Sequence, residues 1–190
     1  RPDVECADIH VQERVGGEPL NPGESYKQWP GYKESKFNDD NFRKYQGKFA
    51  HTYMERYWPK SFQKDGFGGI RFAYGDLHDV IILLSTDPLT RQAYLPIFFP
   101  EDTGATVQQR VPCTLGYLFY MRESKLHIKY YIRACDAKRH FRNDIYLTCL
   151  LLKWATDRLN EARGANIYSV GNITMDIASF HVFEKERNLI

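Results

Sequence analysis

The chain of 190 residues has few cysteines, no long apolar run and no block of charge of one sign. Its four cysteines, Cys6, Cys113, Cys135 and Cys149, show neither paired spacing nor a zinc pattern with the six histidines. We therefore expect no disulfide framework and no bound metal, and reduced thiols favour a cytoplasmic location. No stretch approaches the about 18 apolar residues of a membrane span, and residues 1–30 are too polar for a secretory signal.

The net charge of +2 includes no basic tail, so we expect neither membrane attachment nor direct nucleic-acid binding. A hydrophobic content of 43% is ordinary for a globular protein, and the length suits one domain over residues 1–190. The first residue is Arg1 rather than methionine, as expected of a processed or trimmed product.

The N-terminal half gives weaker structural signals than the C-terminal half. Residues 1–50 are rich in proline, glycine and polar residues and predict loops, with a short strand at Asp8–Arg14. Glycines 66, 68 and 69 predict a turn. Asp76 precedes apolar residues at helical spacing and is predicted to cap a helix that ends at Asp87-Pro88. The apolar run from Ala93 to Phe99 predicts a buried strand.

The C-terminal half predicts a hairpin, a long helix and a last strand. Leu115–Arg122 and Leu126–Ala134 favour strands, joined by Glu123, Ser124 and Lys125. Apolar spacing from Asp144 to about Ala162 predicts the strongest helix, with Gly164 as its stop. Residues 173–183 predict the final strand. The result is an α+β domain with one large sheet and a long helix against it.

Four short motifs in this half occur in a distinctive order. Pro112-Cys113 is followed by the segments Arg133-Ala134-Cys135-Asp136, His140-Phe141-Arg142-Asn143-Asp144 and Ser179-Phe180-His181-Val182-Phe183. The order and spacing resemble the thymidylate synthase superfamily, and the Phe-Arg-Asn-Asp segment is most similar to its phage-type deoxycytidylate hydroxymethylases. The resemblance is clear over residues 76–183, thin over residues 26–74 and absent before them. It implies a three-layer domain with a twisted mixed β-sheet, a homodimer that packs two sheets together, and active sites shared between subunits.

The resemblance makes Cys113 the catalytic nucleophile. Carbon 5 of a pyrimidine attacks an electrophile only after a thiolate has added to carbon 6, and that thiolate needs positive charge nearby. Arg110 and Arg133 are close enough in sequence or by strand pairing to supply it. The alternative is that Cys113 is a small buried hydrophobic residue.

Arginines in this family hold the nucleotide phosphate. Arg133 matches the phosphate ligand beside the cysteine, and a guanidinium suits bidentate phosphate contact. Arg91 resembles the first of two adjacent arginines that the family donates to the partner's phosphate, but could also be a solvated turn residue. Gln92 replaces the second arginine, and Ala134 replaces a serine, so two phosphate contacts are lost or replaced.

Two further residues match the family at its folate and sugar sites. Asp136 matches an aspartate that contacts folate and assists proton movement, although it would also suit a turn. His181 matches the histidine of a sugar clamp whose tyrosine is Phe183 here, and it could instead be a core residue. The family's catalytic glutamate has no match, because the flanks of Glu5, Glu13 and Glu18 differ.

Asp144 decides which base would be read. An asparagine at this position accepts from N3–H and donates to O4 of uracil, whereas a carboxyl accepts from the amino group of cytosine. The alternative is that Asp144 only caps the long helix.

The sequence thus predicts a pyrimidine C5 hydroxymethyltransferase acting on dCMP or CMP with 5,10-methylenetetrahydrofolate, in phage DNA modification or nucleoside-antibiotic synthesis. Its catalytic residues would be Cys113 and Asp136, and its substrate-binding residues Arg91, Arg133, Asp144 and His181. Thymidylate synthesis on dUMP is one alternative. A superfamily member without turnover, acting as a nucleotide-binding, regulatory or assembly protein, is the other.

Overall fold

The structure is a computed structural model, and it describes residues 2–25, 48–59, 75–103 and 111–184. Four α-helices lie in these ranges: α1 (Val4–Val15), α2 (Tyr53–Tyr57), α3 (Leu77–Thr86) and α4 (Phe141–Arg163). The strands are β1 (Tyr94–Pro96), β2 (Thr114–Arg122), β3 (Lys125–Ile132), β4 (Cys135–Asp136), β5 (Ser169–Ile177) and β6 (Phe180–His181). The protein is therefore an α+β structure with a mixed sheet and one long helix, as predicted.

Strands β2 and β3 form the centre of a four-stranded sheet with the order β1-β2-β3-β5. The β1–β2 and β2–β3 pairs are antiparallel, whereas β5 runs parallel to β3. Glu123 and Ser124 join β2 to β3 with positive φ values of 51° and 57°, the geometry of a two-residue hairpin turn. The predicted hairpin is confirmed, although β3 ends at Ile132 and not at Ala134.

One face of the sheet is buried by helices α3 and α4. The alternation predicted for β3 holds, since Leu126, Ile128, Tyr130 and Ile132 are all buried. Helix α4 packs on β3, β5 and α3, and α3 also packs on β1. Fully buried apolar side chains from these elements form the core: Leu77, Leu84, Leu95, Ile97, Phe119, Leu126, Ile128 and Leu152.

The start of α3 and the end of α4 follow local sequence rules. Asp76 caps α3 by accepting from the backbone N–H of Asp79, whose carboxylate accepts from the backbone N–H of Asp76. Gly164 ends α4 with a φ of 66°, a conformation that glycine adopts without the Cβ penalty. The predicted cap of α3 and the predicted stop of α4 are confirmed.

Several predicted boundaries are wrong. The strand expected at Asp8–Arg14 is part of helix α1. The run from Ala93 to Phe99 is a strand only at Tyr94–Pro96, and the last strand is divided between β5 and β6. Helix α4 begins at Phe141 rather than Asp144. The turn predicted at residues 66–69 lies outside the described residues.

Candidate active site

Strand pairing brings Cys113 and Arg133 together at one end of the sheet. Because Thr114 pairs with Ile132, the residues just beyond them face each other, and Arg133 N donates to Cys113 O at 2.9 Å. The guanidinium Nη2 of Arg133 lies 4.0 Å from the exposed thiol sulfur of Cys113. The predicted pairing of the thiol with a positive charge is therefore present, and such a charge favours the thiolate.

Two backbone carbonyls fix the direction of the Arg133 side chain. Its Nε donates to Pro112 O at 2.8 Å and its Nη2 donates to Val111 O at 3.1 Å. Within the described ranges, Nη1 of this half-buried side chain has no hydrogen-bond partner. A guanidinium held in this way retains N–H groups for an anionic ligand next to Cys113. Arg110, the other arginine considered for this role, lies outside the described residues.

Asp144 is not the N-cap of α4. The N-cap is His140, which makes no side-chain capping bond, and Asp144 lies in the first turn of the helix. Its Oδ2 lies 3.6 Å from the sulfur of Cys135, which donates to it. Burial raises the pKa of Asp144 to about 6, although the positive charge of Arg14 and the Cys135 thiol both lower it. The carboxyl is thus partly protonated just below neutral pH.

The second cysteine of the site, Cys135, is not a candidate nucleophile. The residue is buried, and burial together with the negative charge of Asp144 raises the pKa of its thiol to about 12. A thiol in this state donates a hydrogen bond but does not attack carbon. Cys113, by contrast, is exposed and lies beside Arg133.

Sequence reasoning missed a chain of hydroxyl groups behind Cys113. The Thr114 hydroxyl donates to the Tyr53 hydroxyl at 3.1 Å and lies 2.8 Å from the Tyr130 hydroxyl. Burial raises the pKa of Tyr53, and the positive charge of Arg14 lowers it. Burial and then the charge of Asp144 raise the pKa of Tyr130 as well. Tyr53 is the first residue of helix α2 and is separated from Thr114 by 61 positions along the chain, so no local spacing indicates their contact.

Asp136 and His181 lie opposite each other in the parallel pairing of β4 with β6. Oδ1 of the buried Asp136 accepts from the backbone N–H groups of Lys138 and Arg139, at 2.9 and 3.0 Å. Its Oδ2 lies 3.8 Å from Arg139 Nε and has no hydrogen-bond partner among the described residues. Asp136 therefore does cap a turn, and one of its oxygens remains a free acceptor. His181 is half-buried and packs edge-on against Phe183 at 5.3 Å.

Within one chain, Arg91 is far from Cys113. Phe119 N donates to Ala93 O, so the antiparallel register places the exposed Arg91 level with Met121. Met121 follows Cys113 by eight residues along β2, and at about 3.3 Å per residue they are about 26 Å apart. The structure therefore places Cys113 beside Arg133, and Asp144 contacts Cys135, two residues after Arg133. Arg91 lies toward the opposite end of the sheet.

Four glutamates in the N-terminal part of the chain are either hydrogen-bonded to other residues or exposed. Glu13 accepts hydrogen bonds from Ser25 and from the backbone of Glu24. Glu55 accepts from Asn21 and from the backbone of Thr52. Glu5 is exposed in the first turn of α1, and Glu18 is exposed beyond its end. The missing glutamate match thus has no structural replacement among these four residues.

The described residues contain neither a candidate metal site nor a helix suited to cross a membrane. No group of three histidine, cysteine or acidic side chains in these ranges is arranged to hold a metal ion. None of the helices in the same ranges has both the length and the apolar character needed to cross a membrane.

A scan of protein-family models and a search of curated proteins found no match to this chain. The motifs and the geometry around Cys113 therefore carry any functional assignment.

Proposed function

We propose that the chain is a pyrimidine nucleotide C5 hydroxymethyltransferase that acts on dCMP or CMP with 5,10-methylenetetrahydrofolate. The observation that carries this proposal is the position of the Cys113 thiol beside the Arg133 guanidinium, 4.0 Å away. The Asp144 carboxyl accepts from Cys135, which follows Arg133 by two residues, and we treat these side chains as one cluster. The cluster combines a nucleophile, an anion ligand and a base-reading group.

Cys113 would begin the reaction by adding its thiolate to carbon 6 of the base. This bond converts the C5–C6 double bond into an enamine, so that carbon 5 becomes nucleophilic. Arg133 would stabilise the thiolate before addition and bind the 5′-phosphate. Carbon 5 would then bond to the one-carbon unit and lose its proton as tetrahydrofolate leaves, which gives an exocyclic methylene group. Water would add to that methylene carbon, and Cys113 would leave carbon 6 as the thiolate.

Asp144 would read the edge of the cytosine ring. Its pKa of about 6 supports this role, because a protonated carboxyl both donates to N3 and accepts from the amino group of cytosine. Uracil presents O4 in place of the amino group, and this oxygen would face a lone pair of the ionised carboxyl. His181 would contact the sugar.

Asp136 fits the role of a folate ligand. Its Oδ2 has no hydrogen-bond partner in the described ranges, but it is buried and lies 3.8 Å from Arg139 Nε, so contact with an N–H group of the pterin would require this oxygen to become exposed. The folate, when bound, would supply a one-carbon unit at the oxidation level of formaldehyde.

The position of Arg91 supports a homodimer with shared sites. At about 26 Å from Cys113 along β2, Arg91 is unable to reach a phosphate bound at Arg133 of its own chain. A second copy packed on the sheet would supply its own Arg91 in the opposite direction.

Release of tritium from [5-³H]dCMP, CMP and dUMP, each with methylenetetrahydrofolate, tests the proposal. We expect release from a cytosine nucleotide, its loss in Cys113→Ala, and its retention in Cys149→Ala, whose exposed thiol lies on α4. Release from dUMP alone would favour thymidylate synthesis. Release that persists in Cys113→Ala would overturn the mechanism.

A nucleotide-binding or assembly role without turnover is the second candidate. It is favoured by the engagement of Glu13 and Glu55 in contacts outside the cluster. In this case a cytosine nucleotide would bind, and none of the three substrates would release tritium.

A further inference from the structure

The Asp144 carboxyl has two oxygens in different surroundings. The thiol of Cys135 donates to Oδ2, with its sulfur 3.6 Å from this oxygen. Cys135 is only 2% exposed, which shields this hydrogen bond from water. Oδ1 of the half-buried Asp144 has no hydrogen-bond partner in the described part of the chain. One oxygen is therefore held by the protein, and the other is left for a ligand.

The backbone fixes both partners of this contact. Cys135 lies in β4, where its N–H donates to Ser179 O at 2.8 Å, and Asp144 lies in the first turn of α4, where its N–H donates to His140 O at 2.8 Å. The backbone oxygen of Asp136 lies 3.8 Å from the same sulfur. A thiol has a single proton, however, and the carboxyl of Asp144 is both the nearer and the stronger acceptor.

A neutral carboxyl exists in two forms that differ in which oxygen carries the proton. The oxygen without the proton is the better hydrogen-bond acceptor, so a donor held at Oδ2 favours the form with the proton on Oδ1. The donor is permanent near neutral pH, because burial raises the pKa of the Cys135 thiol to about 12.

We propose that Cys135 is a positioning residue that favours cytosine over uracil, because its thiol keeps Oδ2 of Asp144 as an acceptor and leaves Oδ1 as the donor. The proposal rests on the proposed function, in which carbon 6 must reach Cys113, so that the base meets Asp144 in one orientation. With N3 at Oδ1 and the exocyclic group at Oδ2, cytosine accepts at N3 and donates from its amino group. Uracil in the same orientation needs the proton on Oδ2.

Infrared spectroscopy of the Cys135 S–H stretching band tests the contact without any substrate. The difference between wild type and Cys135→Ser identifies the band. Its frequency should fall as the pH rises through about 6, because the ionised carboxyl is a stronger acceptor, and Asp144→Asn should remove this transition. Cys149→Ala on α4 is the matched control and should leave the transition unchanged. A band that ignores pH, or a transition that survives in Asp144→Asn, would overturn the proposal.

Binding of dCMP and dUMP measures the selection itself. Calorimetry at about pH 5, where the Asp144 carboxyl is mostly protonated, gives the ratio of the two affinities. Cys135→Ala removes the donor and should lower the preference for dCMP about two- to fivefold, the effect of one weak hydrogen bond. Cys135→Ser keeps a donor at this position and should retain the preference. A ratio that is unchanged or raised in Cys135→Ala would contradict selection by the thiol.

The two measurements separate this inference from the proposed function. If neither nucleotide binds while the S–H band follows the ionisation of Asp144, the proposed function fails and the thiol still fixes the acceptor oxygen of this carboxyl. If tritium is released from dCMP while the affinity ratio ignores Cys135, the proposed function stands and the inference about Cys135 fails.

Discussion

Replacement of Asp144 by asparagine should stabilise the protein at alkaline pH. Burial raises the pKa of this carboxyl from 3.8 to about 6, and each pKa unit corresponds to about 1.4 kcal/mol. A shift of about two pKa units corresponds to a contribution to the free energy of unfolding of about 3 kcal/mol at most. Because Asp144 is partly exposed, we expect a contribution of about 1–3 kcal/mol. Asparagine has nearly the shape of the protonated carboxyl and never ionises.

The sign follows from the direction of the shift. A carboxyl whose pKa is raised on folding contributes stability that is fully present below pH 3.8 and is lost as the pH rises through about 6. Wild type and Asp144→Asn should therefore differ by a constant amount below pH 3.8, and the variant should gain about 1–3 kcal/mol relative to wild type by pH 8.

Urea unfolding at pH 3.5, 6 and 8 measures this difference. Asp157→Asn on α4 is a matched control, because this exposed carboxylate pairs with Lys153 at the surface, where ion pairs contribute little. The reasoning would be refuted if Asp144→Asn became less stable than wild type between pH 3.5 and 8. In that case the attraction of Arg14 would outweigh the cost of burial.

Three further outcomes are expected. Iodoacetamide at pH 7.5 should alkylate Cys113 at least about tenfold faster than Cys135 in the native protein, and Arg133→Met should lower the alkylation rate of Cys113 several-fold. Peptide mass spectrometry measures both rates, and equal rates for the two cysteines would contradict the assignment of Cys113 as the nucleophile. Inactive Arg91→Ala and Cys113→Ala chains, mixed in equal amounts under conditions that allow subunits to exchange, should recover about a quarter of wild-type tritium release. Half of the dimers would then be mixed, and each mixed dimer would hold one intact site. No recovery would argue against shared sites. Leu126→Ala should lower the free energy of unfolding by about 2–5 kcal/mol, because Leu126 is fully buried in β3; a loss below about 1 kcal/mol in urea would contradict its place in the core.

The sheet and the long helix could be predicted because their signals are local. Strand β3 alternates apolar and polar residues along its length, and Asp76 and Gly164 occupy positions where short-range geometry favours them. Helix α1 was missed because its buried face includes His10 and Arg14. Polar residues on the inner face hide the helical spacing of Ala7 and Val11, so periodicity alone indicated a strand.

The candidate site could be predicted only in part for a similar reason. The contact between Cys113 and Arg133 follows from hairpin register, which the sequence specifies. The contact between Asp144 and Cys135 depends on the path of the chain before α4, and Arg14 reaches the cluster through the packing of α1 on α4. These arrangements depend on tertiary packing, which no spacing along the chain encodes.

Covalent trapping tests the central claim most directly. Incubation with 5-fluoro-dCMP and methylenetetrahydrofolate should leave a stable adduct, because fluorine at carbon 5 blocks the proton loss that lets the thiol leave. We predict that peptide mass spectrometry will find the adduct on Cys113, with less from 5-fluoro-dUMP and none in Cys113→Ala. No adduct in the wild-type protein, or an adduct on Cys135 or Cys149 instead, would contradict the account.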